Sequence, residues 1–240
     1  PAGYDSNQAN ITGLVEGDYD LLITDAKGCI LDSNAVAHIT EPSAIVVTFN
    51  FHTDLDCFGD SDGSIDISAV GGVAPLSFIW RNSGGVVVST VANASGLIAG
   101  TYSLEVTDLS SCVVTYPDAV IIDEPTALTS SLSTTDVVCY SQTNGSITVL
   151  AAGGTPAYNY SLNGAPPVAG NVFPGLGKGF YTVDTRDTKG CVSSGLIEVK
   201  EPAQITFSDY GVSGQNDCYG DSSATIYINT INGGVTPYEY

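Results

Sequence analysis

The sequence predicts an all-β protein, a tandem array of Ig-like or PKD-like antiparallel β-sandwich modules of about 80 residues each. Three observations predict it. Sets of landmark residues recur in one register along 240 residues. The stretches between them alternate apolar and polar residues with period two. Turn residues punctuate the chain about every 8–12 residues.

The first landmark set starts at a cysteine. Cys57, Cys139 and Cys218 lie 82 and 79 residues apart. Six residues after each comes a small residue (Gly63, Gly145, Ala224), and eight after comes an isoleucine (Ile65, Ile147, Ile226). A Gly-Gly pair follows at 71–72, 153–154 and 233–234. A proline (Pro75, Pro156, Pro237) then leads into aromatics: Phe78 and Trp80, Tyr158 and Tyr160, Tyr238 and Tyr240. The second set reads Leu-x-x-Gly-x-Tyr, with Asp six residues after the Tyr and Cys four after the Asp. It occurs at Leu14–Cys29, Leu97–Cys112 and Leu176–Cys191. The third mark is a Glu-Pro pair at 41–42, 124–125 and 201–202. Three marks in one phase define a repeat array.

The phase sets the expected boundaries. Residues 43–125 and 126–202 are two complete modules; 1–42 is the back half of one module and 203–240 the front half of another. A chain that starts and stops inside a module reads as an excerpt from a longer polymer. Glu-Pro suits a boundary, because proline donates no ladder hydrogen bond and holds the residue before it extended.

Within the first complete module the expected strands, in sandwich lettering, are A at 44–51, B at 64–70, C at 76–81, F at 101–107 and G at 113–122. Strands D and E fall somewhere in 84–98. In Tyr102–Thr107, Tyr, Leu and Val point one way while Ser, Glu and Thr point the other; 64–68 and 181–184 alternate likewise. Helical spacing is sustained nowhere. Tyr19, Tyr102 and Tyr181 sit where a tyrosine corner would, bonding back to the backbone at the E–F turn.

Composition narrows the function. Hydrophobic residues make up 43%, enough for packed cores, while 26 acids stand against 6 bases for a net charge of −20. So acidic a surface argues against nucleic acid and anionic lipid as partners. No apolar run reaches the ~18 residues of a membrane span, so membrane insertion is not expected. Catalytic signatures are missing: His38 and His52 lie in no metalloprotease or triad-like context, and neither a nucleophile elbow nor a phosphate loop appears. The chain is not expected to be an enzyme.

Together the residues carry a family resemblance. Cys-x-Gly-Asp-x-Asp-Gly-Ser-Ile (57–65), Gly-Gly-x-x-Pro (71–75), Trp80, Gly-Thr-Tyr (100–102), Val-Thr-Asp (106–108) and Glu-Pro (124–125) resemble the SprB-type repeat of very large surface adhesins of gliding Bacteroidetes. The second module departs from the pattern, lacking the Asp pair and the Trp. The resemblance implies a filamentous extracellular adhesin on the cell surface, exported by the type IX secretion system and moved by the gliding machinery. It implies a polysaccharide or solid surface as partner. Similar repeats also occur in surface proteins with no motility role.

The six cysteines, fixed in the repeat, favour disulfides over metal ligation or free thiols. In a sandwich the A–B turn carrying Cys57 lies at the opposite end from the F–G turn carrying Cys112. A strand of about 7 residues spans about 23 Å, whereas a disulfide needs Cα atoms within roughly 7 Å. The A–B turn instead faces the F–G turn of the next module. The favoured pair is therefore Cys57 with Cys191, between modules, with the remaining partners mostly outside this stretch. The alternative is the within-module set, Cys57 with Cys112 and Cys139 with Cys191; reduced thiols are the third reading.

Other candidates have plainer counterparts. Asp60-x-Asp62-Gly63 opens like a calcium loop, making Asp60 and Asp62 weak candidate Ca2+ ligands. No bidentate Glu follows, and an Asx-rich turn explains the same residues, so no cofactor is expected. Asp25, Asp108 and Asp187 should cap the F–G turn. Trp80 is either a core residue of strand C or an exposed sugar-stacking platform. Asn10, Asn93 and Asn144 head N-glycosylation sequons that look accidental in a bacterial chain. The functional expectation is a structural stalk segment of an adhesin acting in attachment and gliding. The alternatives are a low-affinity glycan-binding unit acting by avidity, with the variable 82–99 region as its loop, or a spacer of a non-motility surface protein.

Overall fold

A computed structural model describes residues 10–214 and 218–239, apart from the side chains of Ala35 and Val36. Tyr240 and residues 1–9 of the leading half module lie outside the described residues. Seventeen strands and no helix appear among the described residues, and hence no helix long and apolar enough to cross a membrane.

The Cys57 repeat contributes β3 (Val46–Thr53), β4 (Gly63–Val70), β5 (Ser77–Asn82), β6 (Val87–Ser89), β7 (Ala94–Leu97), β8 (Gly100–Thr107) and β9 (Val113–Ile122). They form two sheets, ordered β3-β4-β7 and β6-β5-β8-β9. The alternation seen in sequence becomes burial: along β8, Tyr102, Leu104 and Val106 are buried while Ser103 and Glu105 are partly exposed. Trp80 on β5 is fully buried, its Nε1 donating to the Ala92 carbonyl at 3.0 Å, with Phe49 edge-on at 6.4 Å. The platform reading of Trp80 is thereby corrected: a ring without exposed surface stacks on no sugar. Both strands within 84–98 are short: β7 joins the A–B sheet as strand E, but β6 pairs with β5 in the other sheet, so the expected strand D is corrected to an extra strand beside C.

The Cys139 repeat has six strands: β10 (Thr129–Thr135), β11 (Gly145–Ala152), β12 (Asn159–Leu162), β13 (Val172–Leu176), β14 (Gly179–Arg186) and β15 (Val192–Val199). Their sheets are ordered β10-β11-β13 and β12-β14-β15. Both sheets feed one core of Val137, Ile147, Val149, Tyr160, Val183 and Val199. A single bridge from Tyr160 to Val168 stands where the Cys57 repeat has β6. Pro117 and Pro174 lie on the edge strands β9 and β13, where a missing N–H leaves no gap in a ladder.

Two further hairpins flank these. β1 (Gly17–Thr24) pairs with β2 (Ile30–Ile39), and β16 (Thr206–Ser213) with β17 (Thr225–Asn232), both antiparallel. By contacts the chain divides into two compact units. One comprises Pro1–His52, Ser64–Ser95 and Gly100–Ile121; the other comprises Thr53–Gly63, Gly96–Ala99 and Ile122–Tyr240. The second unit thus includes the turn that carries Cys57 as well as the whole Cys139 repeat.

Two glycine positions show why the landmarks are fixed. Gly63 and Gly145 lie against packed atoms: a Cβ on Gly63 would come 2.9 Å from both Ile122 Cγ2 and the Leu97 carbonyl. Gly71, Gly153 and Gly233 adopt φ of 82°, 75° and 76°, and a Cβ there would run into the carbonyls of Ala44, Ala127 and Gln204.

Candidate functional site: the cystine turn

The site lies in the second unit and is built from two turns. The first follows β3. Leu55 is buried; its amide donates to the Asp123 carbonyl at 3.0 Å, and the Asp123 amide donates to Asp54 Oδ1 at 2.9 Å. Glu124, from the Glu-Pro pair, accepts the Gly59 amide at 2.8 Å. The Asp60 amide closes the turn on the Cys57 carbonyl at 3.2 Å. Asp62 faces the Asp56 amide, 3.4 Å from each carboxylate oxygen. Cys57 is therefore held on a turn tied at three places to the segment that ends the same repeat.

The same scaffold recurs around Cys139. Val137 donates to the Lys200 carbonyl at 2.8 Å, Lys200 to Asp136 Oδ1 at 2.9 Å, and Ser141 to Glu201 Oε2 at 2.9 Å. Asn144 takes the place of Asp62, its Oδ1 accepting the Val138 amide at 3.0 Å. The Glu-Pro marks thus do more than punctuate a boundary. Their carboxylates satisfy a turn amide two residues past each cysteine, a role that sequence reading missed.

The second turn joins β14 to β15. Asp187 is buried and accepts three amides: Lys189 and Cys191 on Oδ1, both at 2.9 Å, and Thr155 on Oδ2 at 2.8 Å. Burial pushes its carboxyl up, but these amides outweigh burial and hold it below the ordinary 3.8. Asp108 is lowered in the same way by the Val73 and Cys112 amides, and Asp25 by those of Cys29 and Lys27. One carboxylate thereby fixes the turn carrying each second cysteine and, in Asp108 and Asp187, ties it to the loop after the Gly-Gly pair.

Between these turns lies the bond. Cys57 and Cys191 form a disulfide with Cα atoms 5.6 Å apart, linking positions 134 residues apart. Beside it, Lys189 Nζ donates to Asp56 Oδ1 at 2.6 Å, which together with the Asp56 charge raises the lysine above its ordinary 10.5. Asp56 and Lys189 also line an open cavity of about 550 Å³, together with Thr53, Asp54, Leu55 and Asp62. Cys29, Cys112, Cys139 and Cys218 are exposed and unbonded. Neither Cys57 with Cys112 nor Cys139 with Cys191 is joined.

The remaining candidates fall into structural places. Asp62 serves the turn, and among the described residues no three His, Cys, Asp or Glu side chains converge as metal ligands. The Tyr19 and Tyr181 hydroxyls donate to the carbonyls of Val15 (2.8 Å) and Gly177 (3.0 Å), each four residues upstream. Tyr102 at the same landmark is buried. Two sequon asparagines are engaged through Oδ1: Asn93 accepts the Ile67 amide at 3.0 Å, and Asn144 that of Val138.

Fold and site define a class: all-β sandwich repeats with a cystine joining the A–B-type turn of one repeat to the F–G-type turn of the next. The family model described as SprB repeat matches at residues 50–85 and 131–166, each stretch running from before the first cysteine to beyond the landmark proline. These two stretches are thus similar to the SprB repeat. A solved structure titled "Structural basis for Dscam isoform specificity" is 14% identical, covering 77% of this chain and 54% of that one with a TM-score of 0.29. The chain thus spans about half the length of that structure. A search of curated proteins found no match.

Proposed function

We propose that the chain is a stalk segment of a large extracellular, cell-surface adhesin, with a mechanical rather than a catalytic role. The observation that carries this reading is the Cys57–Cys191 cystine. It joins the A–B-type turn of one repeat to the F–G-type turn of the next, with the Lys189–Asp56 pair beside it. A structural disulfide implies an oxidising, exported setting. Export by the type IX route, attachment to polysaccharide or solid surfaces and coupling to gliding belong to the proposal through the similarity to the SprB repeat. The 82–99 loop exposes Val86, Val87, Val88 and Val91 and contains no aromatic residue. Without rings to stack on sugars it supports spacer duty over glycan recognition.

Force spectroscopy on the whole chain, held at its two ends, tests the mechanical reading. The cystine removes the residues between Cys57 and Cys191 from the extensible path. At about 3.3–3.6 Å per residue over a separation of 134, a reductant should release about 440–480 Å of additional contour length. Equal extension with and without reductant would contradict the stalk. In the companion measurement, chains multimerised on beads should show no binding to a polysaccharide array. Sugar binding abolished by a change in the 82–99 loop would establish the repeats as adhesive units instead.

A further inference from the structure

We propose that charge selects the partner of Cys57, with Asp56 and Lys189 as the residues that position the two thiols for the staple. The inference rests on the staple described above and adds what makes it form between these two turns.

The first support is where the ion pair stands. Asp56 directly precedes Cys57, and Lys189 lies two residues before Cys191. The Lys189 ammonium meets Asp56 Oδ1 at 2.6 Å, and Cys191 Sγ lies 3.3 Å from the Asp56 carbonyl oxygen. The two charges therefore meet beside the two sulfurs. The Lys189 backbone is held with that of the cysteine it serves, because both amides donate to Asp187 Oδ1 at 2.9 Å. The hydrogen bond to Asp56 and the charges of Asp56, Asp62 and Asp187 outweigh desolvation and raise the lysine above its ordinary 10.5, so the ammonium stays charged where thiols oxidise.

The second support is the charge of the turns themselves. Residues 54–62 carry Asp54, Asp56, Asp60 and Asp62 and no base. Residues 186–191 carry Arg186 and Lys189 against Asp187, a net charge of +1. The turn at 107–112, which holds Cys112 of the same repeat as Cys57, has Asp108 and no base, and the Cys29 turn at 24–29 balances Asp25 with Lys27. Opposite charge draws the Cys57 and Cys191 turns together, while like charge holds the Cys57 and Cys112 turns apart. The pair belongs to this joint rather than to the repeat. The position of Asp56 is Val138 in the Cys139 repeat, and that of Lys189 is Ser110 in the Cys57 repeat. Cysteines recur at fixed places while the charges beside them change, so turns of one shape are told apart by charge. Both side chains are about half exposed, 52% and 49%, so the selection is a bias of a few-fold.

The test uses the full chain, reduced and then equilibrated under native conditions in a glutathione buffer. The two thiols give up two electrons and two protons to one oxidised glutathione, which leaves as two reduced glutathiones. Quenching, digestion and mass spectrometry give the ratio of the Cys57–Cys191 peptide to Cys57 capped by glutathione or joined to another cysteine. At low ionic strength Lys189→Gln should lower that ratio about two- to fivefold, and Lys189→Glu should lower it further. Lys189→Arg should keep it, and exchanging the charges, Asp56→Lys with Lys189→Asp, should restore it. In about 1 M salt, where the screening length is roughly 3 Å, the unmodified chain and Lys189→Gln should converge. Equal ratios in the unmodified chain, Lys189→Gln and Lys189→Glu would overturn the proposal. So would a loss that persists in high salt or in the charge-exchanged chain, since packing and not charge would then be at work. If charge selection alone fails, the Cys57–Cys191 peptide still forms in the unmodified chain; its absence there defeats the staple and this proposal together.

Discussion

The Cys57 and Cys139 repeats share their turns almost atom for atom and differ inside. Glu124 and Glu201, Asp54 and Asp136, Asp108 and Asp187 make matching hydrogen bonds. The interiors do not match. By strand register buried Trp80 corresponds to Leu162 and Phe78 to buried Tyr160, seven strands correspond to six, and Val106 corresponds to Thr185, whose hydroxyl is buried without a hydrogen-bond partner. The contrast teaches where the repeat is constrained. Turn positions are set by backbone amides that need a particular acceptor and by cysteines that must meet a neighbour's. Core positions need only volume and apolarity, which several side chains supply.

The largest effect should come from emptying the more filled interior. Trp80→Ala removes the one fully buried indole and should cost about 3–5 kcal/mol in the Cys57 repeat, while leaving the Cys139 repeat's own unfolding step in place. Scanning calorimetry resolves the two. Next is the bond between the repeats: Cys57→Ser should lower stability by about 2–4 kcal/mol, as loss of a disulfide closing a long loop does. Denaturant unfolding followed at Trp80 reads this change, and reductant should reproduce it in the unmodified chain but not in the variant.

Acid sharpens the shared part of the comparison. Asp108 and Asp187 have carboxyls held below 3.8, so the stability they contribute is present above that value and is lost as pH falls through the native one. Stability should therefore drop below about pH 4, and Asp108→Asn or Asp187→Asn should be less stable at pH 7 with a shallower acid decline. Lys189, raised above 10.5, acts in the opposite sense; its contribution holds below that value and fades at higher pH. The smallest effect is a gain. Thr185→Val gives the Cys139 repeat the residue that the Cys57 repeat carries and removes the unpartnered hydroxyl, so it should stabilise by about 1 kcal/mol in thermal unfolding.

Much of this was legible in the sequence because period-two alternation reports directly on which side chains enter a core. Strand G was expected at 113–122 and β9 is Val113–Ile122; A, B, C and F shift by no more than two residues. The two short strands fall within the expected 84–98, but their bounds escaped. β6 has three residues and β7 four, too few for a pattern to develop. The capping by Glu124 and Glu201 was hidden for another reason: it joins residues 65 and 60 positions apart, and no local pattern marks an acceptor for a distant amide. Thr185 reads as an ordinary strand threonine, since sequence does not report what lies beside its hydroxyl.

The covalent joint between successive repeats is the centre of the account, and peptide mapping of the chain digested without reductant tests it most directly. The account predicts a cross-linked peptide holding Cys57 and Cys191. A peptide joining Cys57 to Cys112, or Cys139 to Cys191, would place the bonds within single repeats and remove the staple.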